Sequence, residues 1–254
     1  GENLPYRLQA YDWFLTEIQY NEEAIIAYMN GASEGQKKRL QQLLDEKQFA
    51  VYSDIVTSNF KTYKNLIAIT IFISVALLIS PIFVRDKIAN IVPLQCASAK
   101  GRKLYRTKWF AGLFSGTFLT AILLLFYMAL YRTNDTQSHF DLPLTAFGWH
   151  YHWYDITFWH YILLSVIVIF VLSIVLTILT MAISSIVPNR IVLIAVQIIV
   201  IFVMIAVGAT YVVQHTINLN YAQLFVPSLV GGFTLFTVLM VWVVWKRELS
   251  RDIV

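Results

Sequence analysis

The sequence predicts an all-α integral membrane protein with five transmembrane helices in this chain. Three observations predict it. Hydrophobic residues make up 58% of the chain and charged ones only 13%, against about 25% charged in ordinary soluble domains. The mean hydropathy of +0.63 agrees. Five apolar stretches reach the about 20 residues a helix needs to cross a bilayer. Finally, Lys and Arg gather in alternate loops, the pattern that fixes orientation in a membrane.

The first span is expected at 65–84, closed by Pro81 near one boundary. The second is 109–131, the third 159–187, the fourth 191–213 and the fifth 226–245. None of these stretches holds Asp, Glu, Lys or Arg. Intramembrane charge marks ion and proton pathways, so the pattern argues against pumps and ion-coupled carriers that need a buried carboxylate.

Orientation follows from the loops. Residues 85–108 carry Arg85, Lys87, Lys100, Arg102, Lys103, Arg106 and Lys108 against Asp86 alone, whereas 214–225 has no charge. Positive residues stay inside, which puts 85–108, 188–190 and the C-terminal tail in the cytoplasm. The N-terminal segment then lies outside. Aromatic belts agree: Trp149, Tyr151, Trp153, Tyr154, Phe158 and Trp159 mark an outer boundary, and Trp109, Trp242 and Trp245 an inner one. An outer N-terminus followed by an odd number of spans needs something to carry it across. The intact protein is therefore expected to have six spans.

Residues 1–62 read as an extracytoplasmic helical hairpin, and 63–254 as the transmembrane domain. Leu8, Tyr11, Leu15, Ile18, Ile25 and Met29 recur at helical steps. Asn30-Gly31 stops that helix, and Ser33-x-x-Gln36 forms a capping box that starts the next. Its apolar side is Leu40, Leu44, Val51 and Ile55. Packing against another outer loop is the plain reading of the hairpin; binding a ligand or partner is the functional one.

The loop 85–108 is the most informative segment. Ile88, Ile91, Val92 and Leu104 give it an apolar side, as in a short helix at the membrane surface. Its charge alone suits anionic headgroups. An acidic residue after a span, a short helix, a Gly-Arg pair and a Lys opening the next span resemble the first cytoplasmic loop of type-2 ABC exporter permeases. The residues that carry the resemblance are Asp86, Gly101-Arg102 and Lys108, with the short inner turn at 188–190. The family more often has Glu at the first of these positions. The resemblance covers roughly 65–254. It implies a coupling helix over 86–96, with Asp86, Ile88, Ile91, Val92, Gly101, Arg102 and Lys108 meeting a separate ATPase subunit.

The same resemblance implies ATP and Mg on that partner chain, a second permease subunit (identical or related), a cell membrane location and a bacterial source. The chain carries no phosphate-cradling Gly-rich loop of its own. The expected function is the membrane subunit of an ATP-driven exporter, which is not itself an enzyme. A charge-free interior suits an amphipathic, lipid-like or peptide cargo. The cargo's identity is not written in the sequence.

Two other readings stand beside it. His150, His152 and His160, with Asp141 and Asp155 nearby, are weak metal candidates and allow a membrane enzyme working at the outer surface. Their spacing fixes no third ligand. A sensor or assembly protein binding a partner through the hairpin is the other. The lone Cys96 excludes an intrachain disulfide. Gly231-Gly232 inside the last span reads as a close helix contact.

Overall fold

The computed structural model describes residues 4–89, 91, 101–148 and 151–249. The elements are α1 (Leu4–Met29), α2 (Glu34–Asp45), α3 (Ile55–Ile79), α4 (Pro81–Ile88), α5 (Gly101–Tyr131), α6 (Phe158–Ile186), α7 (Arg190–Val203) and α8 (Phe225–Leu249). Five helical stretches are long and apolar enough to cross a membrane: Ile55–Ile88, Leu104–Asn134, Phe158–Ile186, Arg190–Val213 and Phe225–Arg247. The protein is an all-α, multi-pass membrane protein. Two compact units are formed.

The first unit joins the N-terminal helices to 136–162 and 217–223. Ile25 from α1 and Leu40 and Leu43 from α2 bury against Leu219. The start of α2 is fixed by Gln36, whose Oε1 accepts from the Ser33 N–H at 2.8 Å, while its Nε2 donates to Leu219 O at 2.6 Å. The predicted apolar stripe of α1 is only half used. Ile25 is buried, but Leu8, Tyr11 and Leu15 stand exposed. Length explains this: α1 extends about 39 Å and α2 about 18 Å, so α2 covers only part of its partner.

A second cluster in this unit is aromatic. Phe158 meets Phe60 at 5.7 Å and Phe147 at 5.8 Å between ring centroids. Gly148 turns the chain there at φ +53°, where a Cβ would strike Asp54. That backbone region costs a side chain energy and suits glycine.

The second unit holds most of each of the five spans. About half of the α3–α4 and α6 spans is buried, against 17, 22 and 11% for those of α5, α7 and α8. The first and third spans are thus the central ones. Small residues set the closest approach. Along α5, Gly112, Gly116 and Thr120 recur every fourth residue and meet Met181, Thr177 and Ser173 of the antiparallel α6. A Cβ on Gly116 would lie 2.6 Å from Thr177 Cγ2, and one on Gly112 would overlap Met181. Thr120 and Ser173 hydroxyls bond at 2.6 Å. Helices in lipid associate through this kind of close packing, since the tails supply no hydrophobic drive. The seam was written in Gly112-Leu-Phe-Ser-Gly116. The pair singled out from sequence, Gly231-Gly232, makes no close contact in this chain: nothing lies within 4 Å of a Cβ at either position.

Two boundaries differ from the sequence expectation. Pro81 does not close the first span. α3 ends at Ile79, but Ser80 keeps helical backbone angles and α4 carries the helical run on to Ile88. Proline removes one N–H and crowds the preceding turn. A neighbouring hydroxyl stitches the joint: Ser184 Oγ donates to Ser80 O at 2.6 Å and accepts from the Phe83 N–H at 3.3 Å. A side chain from an adjacent helix thus holds backbone groups on both sides of the proline. The second correction is that α5 begins at Gly101 rather than Trp109. Helical geometry tolerates the basic turn because it lies beyond the apolar window. The fourth span also changes character, since α7 continues as a π-helix over Met204–Val213.

Candidate functional site at the basic end of the bundle

Four chain segments meet where the basic loop leaves and re-enters the bundle. Asp86 and Ile88 lie in the last turn of α4, continuous with the span. The separate surface helix expected over 86–96 therefore does not begin at Asp86. Proline at the first position of α4 starts that turn instead, and the span supplies its hydrogen bonds. Val92 and most of the rest of that expected helix lie outside the described residues. Ile88 and Ile91 are exposed. Gly101 and Arg102 belong to the first turn of α5.

The structure brings two of the sequence candidates together. Lys108, two turns into α5, forms an ion pair with Asp86; each side chain is about one-fifth exposed. The pair ties the segment before the loop to the segment after it. Partial burial makes such a pair stronger than a surface one, because water screens it less.

Lys87 was not singled out from sequence, yet it makes the second link. Its ammonium donates to Ser185 O and, at 3.0 Å, to Val187 O. Those carbonyls end α6, where the helix dipole is negative and favours a cation. Two residues beyond Val187, Asn189 caps α7: its Oδ1 accepts from the Val192 N–H at 2.9 Å. Aromatic rings complete the site. Phe83 packs tilted against Tyr105 and Trp109, with Phe83 to Trp109 at 5.9 Å, and Tyr105 meets Trp109 edge to face. Arg106 sits 5.5 Å over the Trp245 ring of α8. The last turn of α4 is thus bound to α5 by Asp86 and to the end of α6 by Lys87.

The histidine cluster takes a different form. His160 Nδ1 bonds Thr157 Oγ1 at 2.7 Å. The His152 ring stands edge-on to Tyr161, and its carbonyl accepts from Arg39 Nε at 3.1 Å. His150 lies outside the described residues. Among the described residues no group of three His, Cys, Asp or Glu could hold a metal. Arg39 is 8% exposed and forks onto both oxygens of Asp155, with Nη1 at 2.9 Å from Oδ2. This region is held as structure, by a bidentate pair that fixes α2 to the 151–157 segment.

A further ionisable side chain lies one position before the expected span. Lys64 precedes the expected span at Asn65, but α3 begins at Ile55, so it lies within the helix and is fully buried. Its Nζ donates to Ser165 Oγ at 3.3 Å. The interior of the bundle therefore holds an ionisable side chain.

No family model, curated protein or solved structure matches this chain.

Proposed function

We propose that the protein is the membrane-spanning subunit of an ATP-driven exporter of the type-2 ABC kind, with ATP and Mg bound on a separate ATPase chain. The reading places the basic end in the cytoplasm, the hairpin unit outside and a second permease subunit alongside. The observation that carries it is the double anchoring of α4 at the loop's base. A subunit docked on the loop after Ile88 would load the Asp86–Lys108 pair and the Lys87 contacts at once. Force would then reach the first three spans through two linkages rather than through a flexible tether. Buried Lys64 narrows the cargo argument: an amphipathic cargo remains the expectation, on the apolar composition of the spans.

The test is co-purification from the native membrane. The full-length protein is expected to bring an ATPase subunit with it, and deletion of 90–99 is expected to release that subunit while the bundle stays folded. Recovery of the protein alone, in both forms, would remove the exporter reading. Loss of function on replacing His152 by Ala, with assembly intact, would favour a membrane enzyme instead.

A further inference from the structure

Three buried polar side chains in the bundle serve none of the contacts described above. Thr180 of α6 is fully buried, Gln197 of α7 is 5% exposed and Thr237 of α8 is 3% exposed. Among the described residues, neither amide atom of Gln197 has a hydrogen-bond partner, and neither do the hydroxyls of Thr180 and Thr237. Thr177, one turn away on α6, bonds the carbonyl of Ser173 at 2.8 Å. Thr180 does not use that outlet.

Their positions coincide in two respects. The first is depth. At 1.5 Å per residue, Thr180 lies about 9 Å from the end of α6, Gln197 about 10 Å from the start of α7, and Thr237 about 12 Å from Trp245. All three ends belong to the basic end of the bundle, through Lys87 and through Arg106 on Trp245. The second is packing. Leu179 and Ile183 of α6, Leu193, Val196 and Val200 of α7, and Met240 of α8 form one apolar cluster. Thr180 sits three residues before Ile183, Gln197 three before Val200, and Thr237 three before Met240. Residues three and four apart share a helix face, so Gln197 and Thr237 share a face with cluster residues, while Thr180 lies between Ile183 of the cluster and Thr177 and Ser184, which meet α5 and Ser80.

We infer that Thr180, Gln197 and Thr237 converge on one polar site between the third, fourth and fifth spans, which binds a neutral hydrogen-bonding group. An orphaned amide inside a membrane span is costly. Two hydroxyls and a primary amide offer both donors and acceptors, which suits a neutral partner. No Asp, Glu, Lys or Arg occurs in 158–187, 191–213 or 226–245, so a bound ion would have no counter-charge from these helices. The fitting group is water, or the hydroxyl or amide of a lipid-like molecule. Water needs two to four polar partners to stay buried, and three side chains supply them. Burial within one chain rules out a second copy as the partner. The inference is independent of the exporter reading.

A thermodynamic cycle on the full-length protein tests it. Gln197→Leu, Thr237→Val and the double variant are compared by reversible unfolding in nanodiscs, with Thr180→Val as a third arm. A shared ligand makes the losses non-additive, by about threefold or more in the unfolding equilibrium. Additive losses would overturn the site. Should a variant fail to fold, the wild-type protein decides the matter through a structure at water-resolving resolution. Density within hydrogen-bonding distance of both Gln197 and a threonine hydroxyl is expected; carbon contacts alone around Gln197 would overturn the proposal. Repeating the cycle in lipid-depleted detergent separates the sources. Coupling that persists identifies water, and coupling that needs native lipid identifies a lipid-borne group.

Discussion

The bundle and the hairpin unit hold their helices together by different means. In the bundle, α5 lies against α6 through Gly112, Gly116 and Thr120, with overlap where any Cβ is added to the glycines. In the hairpin unit, α2 is held by an apolar core of Ile25, Leu40, Leu43 and Leu219 and by the Arg39 fork onto Asp155. The difference follows from the solvent. Lipid tails are as apolar as leucine, so contact distance decides stability there. Outside the apolar spans, burial of side chains from water supplies the drive, and polar pairs select the arrangement.

The largest effect that sharpens this contrast is expected at the seam. Gly116→Leu forces a side chain into Thr177 and should cost about 3 kcal/mol or more, read as loss of the folded protein's peak in size-exclusion chromatography. Gly231→Leu, in open space on α8, should change stability by no more than about 0.5 kcal/mol. Equal losses at the two sites would break the seam account.

Next comes the fork. Arg39→Met should destabilise the hairpin unit by about 2 kcal/mol, a value held down because Asp155 is 48% exposed and screened by water. Hydrogen exchange should rise in α2 and leave α5 and α6 unchanged. A smaller effect is expected for Lys87→Met, which removes two bonds to the end of α6. About 1 to 2 kcal/mol is expected, with Lys87→Arg recovering part of it.

The smallest effect is in pH. Burial raises the Tyr28 hydroxyl above its usual value; burial also raises that of Tyr151, to which nearby Tyr28 adds. Tyr28 also donates to Asn220 Oδ1 at 2.6 Å. A folded-state pKa above the unfolded one means that this stability is fully present below the unfolded tyrosine pKa of about 10 and is lost as pH rises through the folded value. The hairpin unit should therefore be insensitive to these groups at neutral pH and loosen only in strong alkali, followed by tyrosinate absorbance. Loosening near pH 8 would contradict the assignment.

The fold was largely legible because apolar length is a strong signal: all five spans appear where the composition demanded. Helix ends were less legible. Pro81 reads as a stop, and only the distant Ser184 explains why it is not one. The exposed Leu8, Tyr11 and Leu15 form a valid stripe, yet periodicity does not say how far the partner helix extends. At the basic end, Asp86 and Lys108 were visible from sequence, but their pairing was not. Lys87 looked like one cation among many, because its carbonyl partners come from 98 and 100 residues away. The orphaned group of Thr180, Gln197 and Thr237 had no sequence signal, since burial without a partner is a property of packing.

On the exporter proposal, the Asp86–Lys108 pair would pass ATPase docking into the bundle. The most direct measurement is a charge swap, read as retention of the ATPase subunit and its membrane-stimulated hydrolysis. Asp86→Lys and Lys108→Asp alone are each expected to lower that hydrolysis by about tenfold, between the cost of breaking an exposed pair and that of breaking a fully buried one, while the combined swap restores most of it. Single variants that hydrolyse ATP as the wild type does, or the absence of any ATPase subunit to measure, would contradict the account.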